Sequence, residues 1–136
     1  MRLPVLRRLA LVAALALAAH GTAPARAAGP TEGAAPPYDQ DFLRLAEILG
    51  ALHYLRPLCG VEDEAQRWRA EMQALLDAEQ PSEARRGLMI GSFNRGYSSY
   101  AQVYRACTPS ARLAVSRQLE EAGKLAHDIV VRYGGN

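Results

Sequence analysis

The chain is poor in the residues that most often carry chemistry. Of its 136 residues two are cysteine, three histidine, two phenylalanine and one tryptophan, and Lys124 is the only lysine. Two cysteines exclude a disulfide-dense miniprotein and a four-cysteine zinc site. There is no C-x-x-C-H for covalent haem, no G-x-S-x-G for a hydrolase nucleophile, and no glycine-rich phosphate loop with lysine. The length excludes a barrel enzyme and a two-domain dinucleotide enzyme. A membrane span needs roughly 20 apolar residues, whereas the uninterrupted apolar run at residues 9–19 has eleven.

What is present begins with an export pattern. Arg2, Arg7 and Arg8 form a basic start without an acidic residue, followed by the apolar run of Leu, Val and Ala. Residues 20–26 are short and polar-leaning, with Pro24 as a helix breaker, and Ala25-Arg26-Ala27 offers small residues where a signal peptidase reads. Basic start, apolar middle and small-residue exit make a secretory signal. Residues 1–27 are therefore read as a signal peptide cut between Ala27 and Ala28, and the mature protein as periplasmic, with no transmembrane span. No cysteine lies near the cut to accept a lipid.

Cleavage changes the charge. The whole chain carries 16 basic and 14 acidic residues, a net +2, with a pI of about 8.7. The signal holds four arginines and no acid, which leaves 12 basic against 14 acidic residues and a net −2. The basicity resides in the signal, so no nucleic-acid partner is expected.

Residues 28–37 (AGPTEGAAPP) lack periodicity and read as a flexible Pro/Gly/Ala leader. The remainder, 38–136, reads as a helical domain. Asp39 or Asp41 can cap a first helix, with Phe42, Leu45, Leu49 and Leu52 at 3-4-3 spacing and Ala46, Ile48 and Leu55 widening the stripe. Pro57 and Gly60 end it. The second helix starts near Glu62-Asp63-Glu64, acids that suit the positive end of the helix dipole, and runs through Ala65, Trp68, Met72 and Leu75 to Gln80-Pro81.

Ser82 caps the third helix, with Met89, Phe93, Gly96, Tyr100, Val103 and Cys107 on its stripe. Thr108 and Pro109 open the fourth, whose stripe is Val115, Leu119, Ala122, Ala126, Ile129 and Tyr133, up to Gly134. No stretch alternates with period two. Four helices of about 16–25 residues joined by short turns predict an all-α, four-helix antiparallel up-down bundle.

In such a bundle Cys59, after helix one, and Cys107, at the end of helix three, lie at the same pole. A bridge between them closes a loop of about 48 residues, worth roughly 4 kcal/mol in the chain-entropy view. The competing reading is two free thiols.

The search for catalytic groups returns little. In the mature chain His53 and His127 each stand alone, without metal-ligand spacing to another His or carboxylate. No metal site, cofactor or catalytic residue is assigned. Gly87-Leu88-Met89-Ile90 resembles the Gly-Leu-Met-Gln stretch of exported lytic transglycosylases, but Ile90 replaces the Gln. The nearest acid is Glu83 on the same helix, rather than a Glu well upstream. A cell-wall-modifying enzyme is thus the remote alternative.

Helix three is the most informative segment. Gly87, Gly91 and Gly96 each cost about 1 kcal/mol in a helix relative to Ala, which points to close packing or to a face kept bare. Phe93, Tyr97, Tyr100 and Tyr104 form an aromatic row beside the seam, with Asn94, Arg95 and Arg105 as polar neighbours. These seven residues are the candidate contact surface; the competing reading is a wide core stripe whose hydroxyls reach water. Arg85-Arg86, Arg67 and Arg69 read as solvated faces.

Residues 42–60 (FLRLAEILGALHYLRPLCG), Trp68-Arg69 with Met72, residues 93–97 (FNRGY) and residues 104–108 (YRACT) carry a resemblance. Together they resemble an uncharacterised family of small exported alphaproteobacterial proteins with two well-separated cysteines, over about residues 40–134. The resemblance implies pairing of Cys59 with Cys107 and a periplasmic address, and brings no activity, cofactor or catalytic residue. The expected role is a non-enzymatic envelope interaction or accessory factor with an envelope protein as partner. The alternative is a small-molecule binder with a pocket near Arg95, Tyr97 and Tyr100. The disulfide is directly testable: the chain should run faster on a gel without reductant than with it, and identical mobilities would mean free thiols.

Overall fold

Helix α1 (Asp39–Leu58) is apolar around most of its circumference in its middle, and the rest of the domain is arranged on it. Ala46, Ile48, Leu49, Gly50, Ala51, Leu52 and Leu55 are all buried, which no single-face stripe achieves. The computed structural model describes residues 33–61 and 64–135. The signal peptide expected at residues 1–27, and the expected leader as far as residue 32, lie outside the described residues. After α1 come α2 (Glu64–Glu79), α3 (Glu83–Val103) and α4 (Pro109–Tyr133), and no strand occurs among the described residues.

Side-chain pairs give the directions. Asp39 meets Arg85 near the starts of α1 and α3, and Cys59 meets Cys107 beyond their ends, so these two helices run parallel. Arg56–Glu64 ties the end of α1 to the start of α2, while Arg85–Glu79 ties the end of α2 to the start of α3. Tyr38 lies 5.4 Å from Tyr133 and Arg44 reaches Glu121, which sets α4 antiparallel to α1. The order is up-down-up-down. The parallel pair α1 and α3, diagonal in a square bundle, makes the most extensive contact, and α1 also packs on α2 and α4.

Two glycines explain that closeness. A Cβ on Gly50 would stand 1.8 Å from the Phe93 carbonyl oxygen, and one on Gly96 would stand 1.8 Å from that of Glu47. Backbone therefore lies on backbone, where any side chain would force the helices apart. Of the three glycines singled out on helix three only Gly96 has this role. Nothing lies within 4 Å of a Cβ at Gly87, and Gly91 would meet only the tip of Arg95 at 3.8 Å.

The helix ends follow the sequence with some shifts. Ser82 Oγ accepts from the Arg85 N–H, and Thr108 Oγ1 accepts from the Ala111 N–H, with Pro109 in the first turn of α4. Gly60, at φ 90°, takes the left-handed turn out of α1, two residues after the helix ends at Leu58; Pro57 lies inside the last turn rather than ending it. Asp39 does not cap α1: Tyr38 holds the cap position, and Asp39 is buried against Arg85. Gly134 caps α4 through its N–H to Val130 at an ordinary φ of −82°.

Two expectations are corrected. Helix α3 ends at Val103, not at Thr108; Tyr104 turns to extended backbone, so Cys107 sits in an irregular segment. That detour carries the thiol to Cys59, with a Cα–Cα distance of 4.9 Å, within ordinary disulfide geometry. In α4 the buried line is Ala111, Val115 and Gln118, continued by half-buried Ala122, Leu125 and Ile129; Leu119 and Ala126 are exposed. The core stripe is rotated because α4 rests mainly on one neighbour.

Arg85 is a third correction. Its side chain is only 13% exposed and donates to Asp39 (2.5 Å) and Glu79 (2.9 Å) beneath the rings of Tyr38 and Phe42. It is a buried tie across three helix ends rather than a solvated face. Trp68, Met72, Leu76 and Met89 complete the core with α1.

The glycine crossing predicts a contrast. Gly96→Ala should destabilise the domain by about 3 kcal/mol or more, since the obstruction is backbone and cannot rotate away. Gly87→Ala should be neutral or stabilising by up to about 1 kcal/mol. Thermal unfolding followed by circular dichroism separates the two; equal melting temperatures would contradict the crossing.

Candidate functional site

Because α1 and α3 touch backbone to backbone, α4 cannot close evenly over both. A cleft of about 350 Å³ remains between α1, α3 and α4, floored by Ala51 and Gly96. Its walls are Arg44 and Glu47 from α1, Ser99, Tyr100 and Val103 from α3, and Gln118 from α4, with Tyr104 at its end. Tyr100, Tyr104 and Gln118 also line an adjoining recess of about 310 Å³ that runs outward to Ser110, Leu113, Ala114 and Arg117. The two form one surface depression near the disulfide pole.

Its polar groups are held in place. Arg44 grips Glu121 with two parallel bonds, Nε to Oε1 at 2.7 Å and Nη2 to Oε2 at 2.8 Å, and its Nη1 lies 3.3 Å from Glu47. The hydrogen bonds to Glu121 raise the Arg44 guanidinium above its already high value. The same bonds hold the Glu121 carboxyl below the usual range. Gln118 Nε2 donates to the Tyr100 hydroxyl at 3.1 Å, which leaves the phenol its own proton to donate. Burial pushes the Tyr100 phenol up, so it stays protonated. Glu121 is thus a fixed acceptor and Tyr100 a fixed donor. Neither group changes its charge near neutral pH.

The aromatic rings at the pole are ordered by backbone contacts. Tyr100 and Tyr104 are nearly parallel, at 11° with centroids 6.2 Å apart. The Tyr54 hydroxyl donates to the Tyr104 carbonyl, anchoring the segment that leaves α3 to the side of α1.

The seven candidate residues of helix three do not share one face. Tyr100 and Tyr104 enter the cleft. Phe93 and Tyr97 lie on the other side of α3, against His53 at 5.5 and 5.6 Å, with Tyr97 edge-on to Tyr54. Asn94, Arg95 and Arg105 are exposed, and Arg95 turns back to Ser92 Oγ at 2.7 Å. A single pocket built from Arg95, Tyr97 and Tyr100 is therefore not formed. On the far side His53, Tyr54, Pro57, Leu58, Ala65 and Tyr97 line a separate hollow, where His53 Nδ1 bonds the Ala65 carbonyl at 2.8 Å.

Sequence reasoning missed Arg44, Glu47, Gln118 and Glu121. The only local signal was the three-residue spacing of Arg44 and Glu47 on one helical face. Glu83 is exposed in the first turn of α3, away from the cleft. Among the described residues no cluster of three or more His, Cys, Asp or Glu could hold a metal ion. Also among them, no helix is long and apolar enough to cross a membrane.

Comparison with known proteins places the chain in a family. The family model "Protein of unknown function (DUF2385)" matches residues 37–133, all four helices, and the chain belongs to that family. No curated protein and no solved structure matches it.

The Arg44–Glu121 pair carries a pH dependence. The Glu121 carboxyl is depressed in the folded state, so the pair stabilises above the unfolded value of 4.5 and that contribution fades as pH falls through the folded value. Both side chains are more than a third exposed, so screening limits the effect to less than about 1 kcal/mol. Glu121→Gln should lower stability slightly at neutral pH and flatten its fall below pH 4.5. Parallel curves for the two proteins in acid denaturation would contradict the assignment.

Proposed function

We propose that this DUF2385 protein is an exported, periplasmic helical domain that acts without catalysis, as an envelope accessory factor binding another protein. The export pattern of residues 1–27 supports the address, and the Cys59–Cys107 disulfide is compatible with an oxidising compartment. The contact surface is the cleft between α1, α3 and α4.

The observation that carries this reading is the rim of the depression. Val103 is 69% exposed and Leu113 51%, on either side of the stacked Tyr100 and Tyr104. Apolar side chains held open around aromatic rings, with arginine beside them, are the composition of a protein-binding centre. Arg117 lines the outer recess and makes no ion pair among the described residues. The occupant that fits is an apolar side chain of the partner, seated on Tyr100 and Tyr104 and followed by an acidic residue that reaches Arg117.

A second reading, small-molecule binding, draws on the volume of about 350 Å³, which lies at the lower end for ligand pockets. Native mass spectrometry of the protein isolated from cells would show a bound mass, lost in Tyr100→Ala, if this were the role.

The partner reading is tested by a photo-crosslinker placed at Val103 or Leu113 in intact cells. One reproducible protein adduct is expected, lost on Arg117→Glu and absent when the crosslinker stands at Gln66 on α2. No adduct at either rim position, or an adduct equal to that at Gln66, would count against it.

A further inference from the structure

Helix α4 carries a second apolar line that nothing among the described residues covers. Leu119, Gly123, Ala126 and Val130 repeat at 4-3-4 spacing on one face of the helix and are all exposed, Val130 at 66%. This face flanks the core line and points away from Arg117, so it is not part of the cleft. Gly123 is notable among these residues. It sits mid-helix, where glycine weakens the helix, yet a Cβ there would meet nothing within 4 Å. Gly50 and Gly96 each have an intramolecular reason to lack a side chain, and Gly123, like Gly87, has none among the described residues.

The order of residues along the line identifies what covers it. Laid antiparallel against a copy of itself, the line maps onto itself: Leu119 opposes Val130, Gly123 opposes Ala126, and Ser116 opposes Tyr133. The small residues fall at the centre, where two helix backbones come closest, and the larger apolar ones on both sides of it. In the same register Glu120 of one helix faces His127 of the other beside the seam, a carboxylate and an imidazole able to hydrogen-bond, and the twofold axis repeats the pair. Self-complementarity of one patch is what an isologous twofold interface requires.

We propose that this face of α4 joins two copies of the chain in an antiparallel homodimer. The seam from Ser116 to Tyr133 is about 26 Å long and one helix face wide, which places the dimer among the weaker, reversible associations. The clefts lie on the opposite flank of each α4, so both remain open in the pair.

Sedimentation velocity of the chain isolated from cells, from low micromolar to millimolar protein, is the test. A concentration-dependent monomer–dimer equilibrium is expected. Gly123→Glu and Val130→Glu should each shift dissociation at least tenfold toward monomer while circular dichroism stays helical and the melting temperature does not fall, since both sites are open to solvent in the single chain and Gly123→Glu removes a helix-weakening glycine. The register has its own measurement: mixed copies bearing Leu119→Cys and Val130→Cys should crosslink to each other in preference to like copies. A monomer at every concentration, a dimer that persists in both charged variants, or preferential like-with-like crosslinking would overturn the proposal.

Discussion

The backbone contact between α1 and α3 is the constraint on which the rest of the domain depends. Gly50 and Gly96 let two parallel helices approach until each presents a carbonyl where the other's Cβ would be. A square bundle with four equal neighbours is then out of reach. The α1–α3 diagonal is short, and α2 and α4 rest on opposite flanks of that pair. This is why α1 is buried nearly all round while α4 keeps one covered line and much open surface.

The cleft follows from the same squeeze. With α1 and α3 in contact at their middle, α4 reaches both, through Gln118 to Tyr100 and through Glu121 to Arg44, and leaves the space above Gly96 unfilled. The disulfide and the Tyr54–Tyr104 hydrogen bond then fix the end of that space by holding the residues after α3 against the end of α1. At the opposite pole Arg85 performs a similar task with Asp39 and Glu79. Removing one carboxylate there would leave a largely buried cation short of partners, which is costlier than removing the whole group.

Much of the fold was legible along the chain because its signals are local. Ser82, Thr108-Pro109 and Gly60 mark helix boundaries through the chemistry of their own backbone groups, and the spacing of Trp68, Met72 and Met89 marks inward faces. Cys59 and Cys107 could be paired because alternating helix directions bring those ends to one pole. The errors arose where a neighbour decides the outcome. Arg85 reads as a solvated charge until Asp39 and Glu79 are placed beside it. The α4 stripe was displaced toward Leu119 and Ala126 because its apolar residues are wider than its one major neighbour, and spacing does not tell which part is covered. The aromatic row from Phe93 to Tyr104 reads along the sequence as one face, yet Phe93 and Tyr97 turn toward His53 while Tyr100 and, beyond the end of α3, Tyr104 turn toward α4.

The sequence by itself determined an all-helical chain of four amphipathic segments, their caps and breaks, and a cysteine pair suited to bridging, since each depends on a few adjacent residues. Tertiary structure alone decided which glycines matter, that Arg44, Glu47, Gln118 and Glu121 converge beside Tyr100, and that the candidate residues of α3 divide between two sides. The physical reason is distance along the chain. Arg44 and Glu121 are 77 residues apart and form one bidentate pair, and only the close approach of α1 and α3, with α4 lying across it, brings them together.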